Sequence, residues 1–306
     1  MPEETRIGIL APGVVRDSPR RWRKRGAFRE LPALDEAELL ARAFGVEEAD
    51  LALAPLHYLG ISGSDPEGYC LFAYPVHLHA RREQLILMAG GDFELSDEEA
   101  SDLIALLREY YPQWRLERTG DAMWFIITGE TPDIETTALR TVMGQDINDH
   151  LPRGADAMAW LSTLNELQMI LFDSKTNRDR EAAGRPPINS LWLWGGGRLP
   201  EIRVEGWRRV ATNDPVALGI GRRAGLATSW LGESPDAEAD MTEAGTLWVY
   251  AGAGAAGGAG FPSEAQWDAW AQALRRGDIE RLQLIDPGYG ELNIESRHTR
   301  SWLPWR

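Results

Sequence analysis

The sequence predicts an α/β protein with a mostly parallel central sheet and an inserted α+β subdomain. Three observations carry that expectation. Apolar strand-like runs alternate with helical stretches toward both ends of the chain, as in parallel sheets joined by helical crossovers. Between them the order becomes strand, strand, helix, strand, strand over 66–130, which suits a compact α+β unit. The 306 residues, 43% of them hydrophobic, can bury a core of that size.

In chain order, Ile7 to Leu10 is an apolar run stopped by Ala11-Pro12-Gly13, hence a first buried strand. The basic cluster Arg20 to Arg25 reads as a solvated loop, with an anion-binding patch as the sharper alternative. Leu34, Leu39, Leu40 and Phe44 stand near helical spacing and Gly45 supplies a stop. Tyr69 to Leu78 and Gln84 to Met88 read as strands, broken by Gly90-Gly91-Asp92. Ser96 with Glu99 forms a capping box. The helix it opens should bury Leu103, Ile104, Leu106, Leu107 and Tyr110, and Pro112 ends it. Strands follow at Arg115 to Arg118 and Met123 to Thr128.

Asp156 to Phe172 is a helix in which Met158, Leu161, Leu164, Leu167 and Leu171 recur every three or four residues and Trp160 and Met169 widen the stripe, a spacing expected to face the core. Ser190 to Trp194 is a short strand ending in Gly195-Gly196-Gly197. Asp214-Pro215 caps a helix that ends at Gly225. Gly232 to Asp240 reads as an exposed loop and Thr246 to Tyr250 as a strand. Ala251 to Gly260 contains only alanine and glycine, so it reads as a flexible loop. Ser263 and Gln266 box the last long helix, with Trp267, Trp270, Ala271 and Leu274 inward and Gly277 at its end. Leu282 to Ile285 is the final strand.

The net charge of −15 argues against a nucleic-acid partner, since phosphate backbones reward basic surfaces, and against anionic membranes. No apolar run reaches transmembrane length. The start Met-Pro-Glu-Glu-Thr-Arg lacks the basic and apolar regions of a signal peptide. Cys70, the single cysteine, cannot form an intrachain disulfide or a multi-thiolate metal site. A cytoplasmic protein is expected. The 13 Trp residues favour packing over chemistry. The Trp- and Arg-rich tail, 297–306, is a candidate anchor for a protein partner.

Gly252, Gly254 and Gly257 copy a dinucleotide-binding spacing, but the Ser263 cap starts the helix about six residues too late for its N-terminus to face a pyrophosphate. No nucleotide cofactor is expected. His77 and His79, two apart on a strand, share one face. Asp149-His150 lies in a polar stretch with Asp146 and Asn148. Gly60-Ile61-Ser62-Gly63-Ser64 has the wrong spacing for a nucleophile elbow. Cys70 reads as a buried thiol.

The densest polar cluster is Ser174 to Arg180, followed by Gly184 to Pro200. Its candidate ligand-facing residues are Asn177, Arg178, Arg180, Asn189, Trp192, Trp194, Gly195, Gly196, Gly197 and Arg198. Amide and guanidinium groups suit an oxyanion, and glycines permit close backbone approach. The alternative is structural: the asparagines cap turns and the glycines make a tight strand exit.

This stretch resembles the segment His-Pro-Val-Asn-x-x-Arg, then Gly-x-x-x-Ala-Asn-x-Ile-Trp-x-Trp-Gly-x-Gly-x-x-Pro, of the archaeal-type cofactor-independent phosphoglycerate mutases in the alkaline phosphatase superfamily. Asn177, Arg180, Asn189, Trp192, Trp194, Gly195, Gly197 and Pro200 fit, and Ser174 and Lys175 replace the His and Pro. Gly219-Ile220-Gly221-Arg222-Arg223-Ala224-Gly225 is similar to the next family segment, and Leu31-Pro32-Ala33-Leu34 to a superfamily helix start. Over most of the chain the sequence resembles a proteobacterial offshoot, often labelled phosphoglycerate mutase or regulatory protein E of the Rpf cluster. The shared stretches include Pro75 to Leu78, Leu151-Pro152-x-Gly154 and Leu164 to Met169.

The resemblance implies an alkaline-phosphatase-like, mostly parallel sheet with helices on both faces. Residues 1–65 would open the core, 66–135 would form the insertion and 136–306 would complete the core, with the mutase-like segment at 150–226. It also implies two divalent metals and a metal-activated hydroxyl. Where the family's first strand runs into a ligand Asp, this one runs into Ala11-Pro12-Gly13. Its later ligand loop corresponds to alanine and glycine after Tyr250, and its Asp-His-Gly near the C-terminus is missing. These departures point to a non-catalytic regulatory or binding protein without metal or other cofactor, for a phosphorylated or carboxylate metabolite. The alternative is a mutase or phosphatase holding Mn or Zn through Asp146, Asp149, His150, Asp173 or Asp179.

Overall fold

The computed structural model describes residues 5–47, 51–82, 84–89, 93, 95–231, 241–250 and 262–299. They form two compact units, Met1–Leu51 with Glu201–Arg306, and Ala52–Pro200. The first contains a seven-stranded sheet of β1 (Arg6–Leu10), β2 (Ala27–Glu30), β8 (Arg209–Thr212), β9 (Ala227–Trp230), β10 (Thr246–Val249), β11 (Arg281–Asp286) and β12 (Gly290–Glu295), in the order β2-β12-β11-β1-β10-β8-β9. From β11 to β9 every pairing is parallel; β12 is antiparallel to both β11 and β2. The mixed α/β class and mostly parallel sheet expected from the sequence are therefore present.

Helices cover both faces of this sheet, which is why β1 is apolar and buried from Ile7 to Leu10. Ile7 and Ile9 join Trp248 and the inward face of α9 (Glu264–Arg276), with Trp267, Trp270 and Leu274, in one buried cluster. Gly8 points the other way. A Cβ there would lie 2.6 Å from the Trp207 ring, so only glycine leaves room for that indole. Trp207 in turn donates to the Ala43 carbonyl in the last turn of α2 (Glu36–Phe44) at 3.1 Å. On the same side α8 (Pro215–Arg223) packs on β8 and β9, and a Cβ on Gly221 would sit 2.3 Å from Val210.

The second unit is built on a long strand, β3 (Tyr69–Arg81), with β4 (Gln84–Met88), β6 (Trp124–Thr128) and β7 (Ser190–Gly197) antiparallel to it; β5 (Arg115–Arg118) extends the sheet beyond β6. Alternate β7 residues face opposite ways. Trp192 and Trp194 pack with Ala54 and Tyr58 of α3 (Leu53–Ser62). Leu191 and Leu193 pack with α4 (Asp97–Tyr110) and α6 (Ala157–Phe172).

The division into units differs from the sequence boundaries at 66 and 135. Residues 52–65 and 136–200 lie with the second unit, because β7 runs along β3 from Cys70 to Val76 and α6 seats Leu167 and Leu171 against α4.

Several local expectations are corrected. The basic cluster Arg20–Arg25 is helix α1, drawn in by Trp22, which is fully buried and edge-on to Trp267 at 5.1 Å. Lys175–Ala182, read from the sequence only as part of a polar cluster, is helix α7, capped by the Ser174 side chain. Tyr110, Met158 and Met169 are exposed where the spacing predicts a core face. The α3, β2, β8, β9 and β12 segments carry no strong period and escaped the sequence reading. The stretches at 90–92, 232–240, 251–261 with Gly252, Gly254 and Gly257, and 300–306 lie outside the described residues. Among the described residues no helix is long and apolar enough to cross a membrane.

Candidate functional site

In open parallel sheets, ligands meet the C-terminal edge of the strands. Among the described residues of the first unit, two carboxylates end or directly follow strands at this edge, and each already has partners. Asp214, after β8, accepts the Ala217 N–H at 2.8 Å and caps α8. Asp286, the last residue of β11, is fully buried beside the end of β1. Its Oδ1 accepts the Gly13 N–H at 2.9 Å and its Oδ2 accepts the Arg16 N–H at 3.2 Å. The Arg16 guanidinium spans both oxygens, through Nε at 3.1 Å and Nη2 at 3.2 Å. The hydrogen bond and charge of Asp286 push the Arg16 pKa above its ordinary value. The loop after β1 is thus folded onto Asp286.

A two-metal centre would need several carboxylates and imidazoles converging at such an edge. Among the described residues no group of three or more His, Cys, Asp or Glu side chains is placed to hold a metal ion. The described donor set does not fit such a centre.

The sequence-predicted segment lies in the second unit. Asn177 is buried: its Nδ2 donates to the Leu171 and Ile188 carbonyls and its Oδ1 accepts the Ile188 N–H, all at 2.7 Å. Asn189 pairs its amide with both backbone groups of Leu78, at 2.7 and 2.9 Å, lengthening the β3–β7 ladder. Arg180 is buried with Nη1 on both Glu99 oxygens and Nε on the Pro186 carbonyl. Trp192 donates to the Thr137 carbonyl and Trp194 stacks on Phe72 at 4.7 Å. Arg178 donates to the Asp173 carbonyl, and Arg198 to Thr131 and the Gly129 carbonyl. The structure therefore gathers these residues around β7, with their polar side chains bonded to protein groups.

The three glycines have steric reasons. Gly195 has φ +66°, and a Cβ there would meet Phe72 at 2.9 Å. A Cβ on Gly196 would meet Leu71 at 2.4 Å, and one on Gly197 would meet the Ala52 Cβ at 2.4 Å. Ala52 has no flexible end to swing aside. Gly197→Ala is expected to destabilise by about 1–3 kcal/mol through overpacking, read as a lower urea midpoint at unchanged slope. An unchanged midpoint would mean that the α3 start shifts freely.

His77 and His79 do share a face, with rings 5.9 Å apart, and His77 Nδ1 lies 2.8 Å from the Pro187 carbonyl. Burial lowers the His77 pKa below its ordinary value. Cys70 is buried and its thiol is pushed up by burial. Sequence reasoning passed over the His57–Asp121 contact of 2.6 Å on the α3 side of the sheet. Burial alone would raise the Asp121 pKa, but hydrogen bonds from His57 and Thr119 hold it down at about 2. It also passed over the Asp286–Arg16 clamp, whose one local sign was an aspartate closing an apolar strand.

No family model matches the chain. The 2,3-bisphosphoglycerate-independent phosphoglycerate mutase of Methanothrix thermoacetophila is 29% identical over 161 residues, 47% of this chain and 41% of the relative. The chain thus matches less than half the length of that curated relative. Among solved structures, the cofactor-independent phosphoglycerate mutase of Thermoplasma acidophilum aligns over 98% of this chain and 91% of its own, at 14% identity and a TM-score of 0.50. A Pyrococcus horikoshii protein aligns over 96% and 87%, at 11% identity and a TM-score of 0.53. The chain is similar in fold to a cofactor-independent phosphoglycerate mutase over nearly all its length, and in sequence to such enzymes over part of it.

Proposed function

We propose that this chain is a phosphoglycerate-mutase-like protein that has kept the scaffold without the two-metal site. It would act in the cytoplasm as a regulatory or binding protein of the regulatory protein E type, for a phosphorylated or carboxylate metabolite. The observation that carries this reading is the clamp at Asp286. A carboxylate at the edge where metal ligands belong is instead neutralised by Arg16 and bonded to two backbone N–H groups. Placing a divalent cation there requires expelling a guanidinium held by two charge-assisted hydrogen bonds. Without metal-stabilised charge, most of the barrier lowering for phosphoryl transfer disappears.

The experiment is incubation of the pure chain with manganese and 2- or 3-phosphoglycerate. The expected result is no isomerisation or phosphate release above a heat-denatured control. Turnover favours the second reading, a mutase or phosphatase with a rearranged site, which the names of the matched relatives support. Among the described residues its candidate donors do not form one metal-holding group: Asp146 caps the turn at Ile147–His150, which contains Asp149 and His150, Asp173 ends α6, and Asp179 pairs with Lys175 at 2.7 Å. Stoichiometric Mn or Zn in elemental analysis would accompany that outcome.

A further inference from the structure

Helix α6 turns an apolar stripe away from its own unit. Leu167 and Leu171 are buried, and Trp160, Leu164 and Ile170 pack partly against the same cluster. With 3.6 residues per turn, these five share one side and Asn165 lies away from it, at least about 100° from each. Met158, Leu161, Met169 and Phe172 all fall within about 40° of Asn165 around the helix axis. Met158, Met169 and Phe172 are 77%, 73% and 74% exposed.

The stripe is symmetric about its centre. Leu161 and Met169 stand one step to either side of Asn165, and Met158 and Phe172 stand at the two ends, equally far from it. Laid antiparallel on a second copy, with a two-fold axis through Asn165, Met158 meets Phe172 and Leu161 meets Met169. Ser162 meets Gln168, and Asn165 meets itself. Apolar groups face apolar groups and polar groups face polar groups, the self-complementarity that an isologous interface requires. Glu166 is the one charged residue in Ala157–Phe172 and it lies off the stripe. In a chain of net charge −15, an uncharged patch is where two copies approach against least repulsion.

The three most exposed side chains present on the order of 400 Å² per copy, the size of patch that marks interaction sites. Pairing two copies covers about 800 Å² from these alone, and the flanking Leu161, Ser162 and Gln168 carry it toward the ~1,000 Å² of a stable interface.

We propose that α6 is the two-fold interface of a homodimer of this chain, an antiparallel helix pair centred on Asn165. The paired Asn165 amides fix the register, as a single buried Asn does in coiled coils.

Sedimentation of the full chain should show a dimer at micromolar concentration. Met169→Glu places a carboxylate against Leu161 on both sides of the axis and should weaken the dimer at least about tenfold. Its far-UV circular dichroism should not change, because Met169 is exposed. Asn165→Cys should form a disulfide-linked dimer on oxidation, whereas Ser162→Cys, which faces Gln168, should not; Cys70 is buried and does not compete. A wild-type chain that stays monomeric, whatever else covers the stripe, overturns the proposal. So does a dimer indifferent to Met169→Glu, or equal cross-linking by both cysteine variants.

Discussion

Glu99→Ala should lower the unfolding free energy by about 3–5 kcal/mol, the range for breaking a buried ion pair from one side. Arg180 is fully buried, with its Nη1 at 3.2 and 3.1 Å from the two Glu99 oxygens. Arg185 reaches the same carboxylate at 2.7 Å, and Glu99 also accepts the Ser96 N–H at 2.9 Å as the return half of the α4 capping box. Removing the carboxylate leaves a desolvated guanidinium without its counter-charge and uncaps the helix. Glu99→Gln separates the two effects. Glutamine can complete a capping box, so that variant should recover about 1 kcal/mol and still lose the charge.

The pH dependence has a definite sign. Burial alone would raise the Glu99 pKa, but the Ser96 N–H and the Arg180 and Arg185 guanidiniums outweigh it and hold it below its ordinary value. A carboxylate depressed in the folded state stabilises fully above its unfolded pKa, and that contribution fades as pH falls through the folded value. The gap between wild type and Glu99→Ala should therefore be widest at neutral pH and narrow below about pH 4. Urea unfolding at both pH values is the measurement, and a gap that does not change with pH would mean the charge is not what stabilises.

Asp286→Ala should cost about 3 kcal/mol, because it orphans the Gly13 and Arg16 N–H groups at a buried strand end and releases a charge partner. Arg16→Ala should cost less than half of that. The Arg16 side chain is half exposed, and Asp286 keeps its two backbone donors. Asp286→Asn should fall between, since the amide accepts one N–H while its own NH2 faces a donor. Thermal unfolding of the three variants tests the ranking. If Arg16→Ala proves as costly as Asp286→Ala, the ion pair rather than the backbone bonds holds the loop.

What the sequence revealed followed from how local each cause was. β1, both Ser-headed capping boxes and the Asp214-Pro215 start are written in adjacent residues, and the structure has each of them. Helices α1 and α7 lack an apolar period, so the first reads as a loop and the second only as a polar cluster; Trp22 and the Ser174 cap hold them. In α6 the period was clear but its phase was not, because the helix is apolar around most of its circumference. The spacing therefore points Met158 and Met169 inward, and both are exposed. The split into units depends on β7 finding β3, a pairing between residues far apart in the chain that no local spacing announces. The polar residues around β7 were legible as a cluster. That Asn177 and Asn189 complete backbone ladders was not, since an amide suits a ligand and a peptide group equally.

The contact between Gly197 and Ala52 has a kinetic consequence. These residues lie at the two ends of the 52–200 unit, and a Cβ on the first would touch the second. Ile7 pairs with Thr246, a loop of about 240 residues if closed directly; if the 52–200 unit forms first, its joined ends shorten the effective loop to about 90 and lower the closure cost by roughly 1 kcal/mol. During synthesis β1 emerges long before β10 and β11, with both of its hydrogen-bonding edges bare. Early closure of 52–200 brings the two halves of the seven-stranded sheet within reach of each other, and a variant that slows that closure should aggregate from the nascent chain before it loses stability at equilibrium.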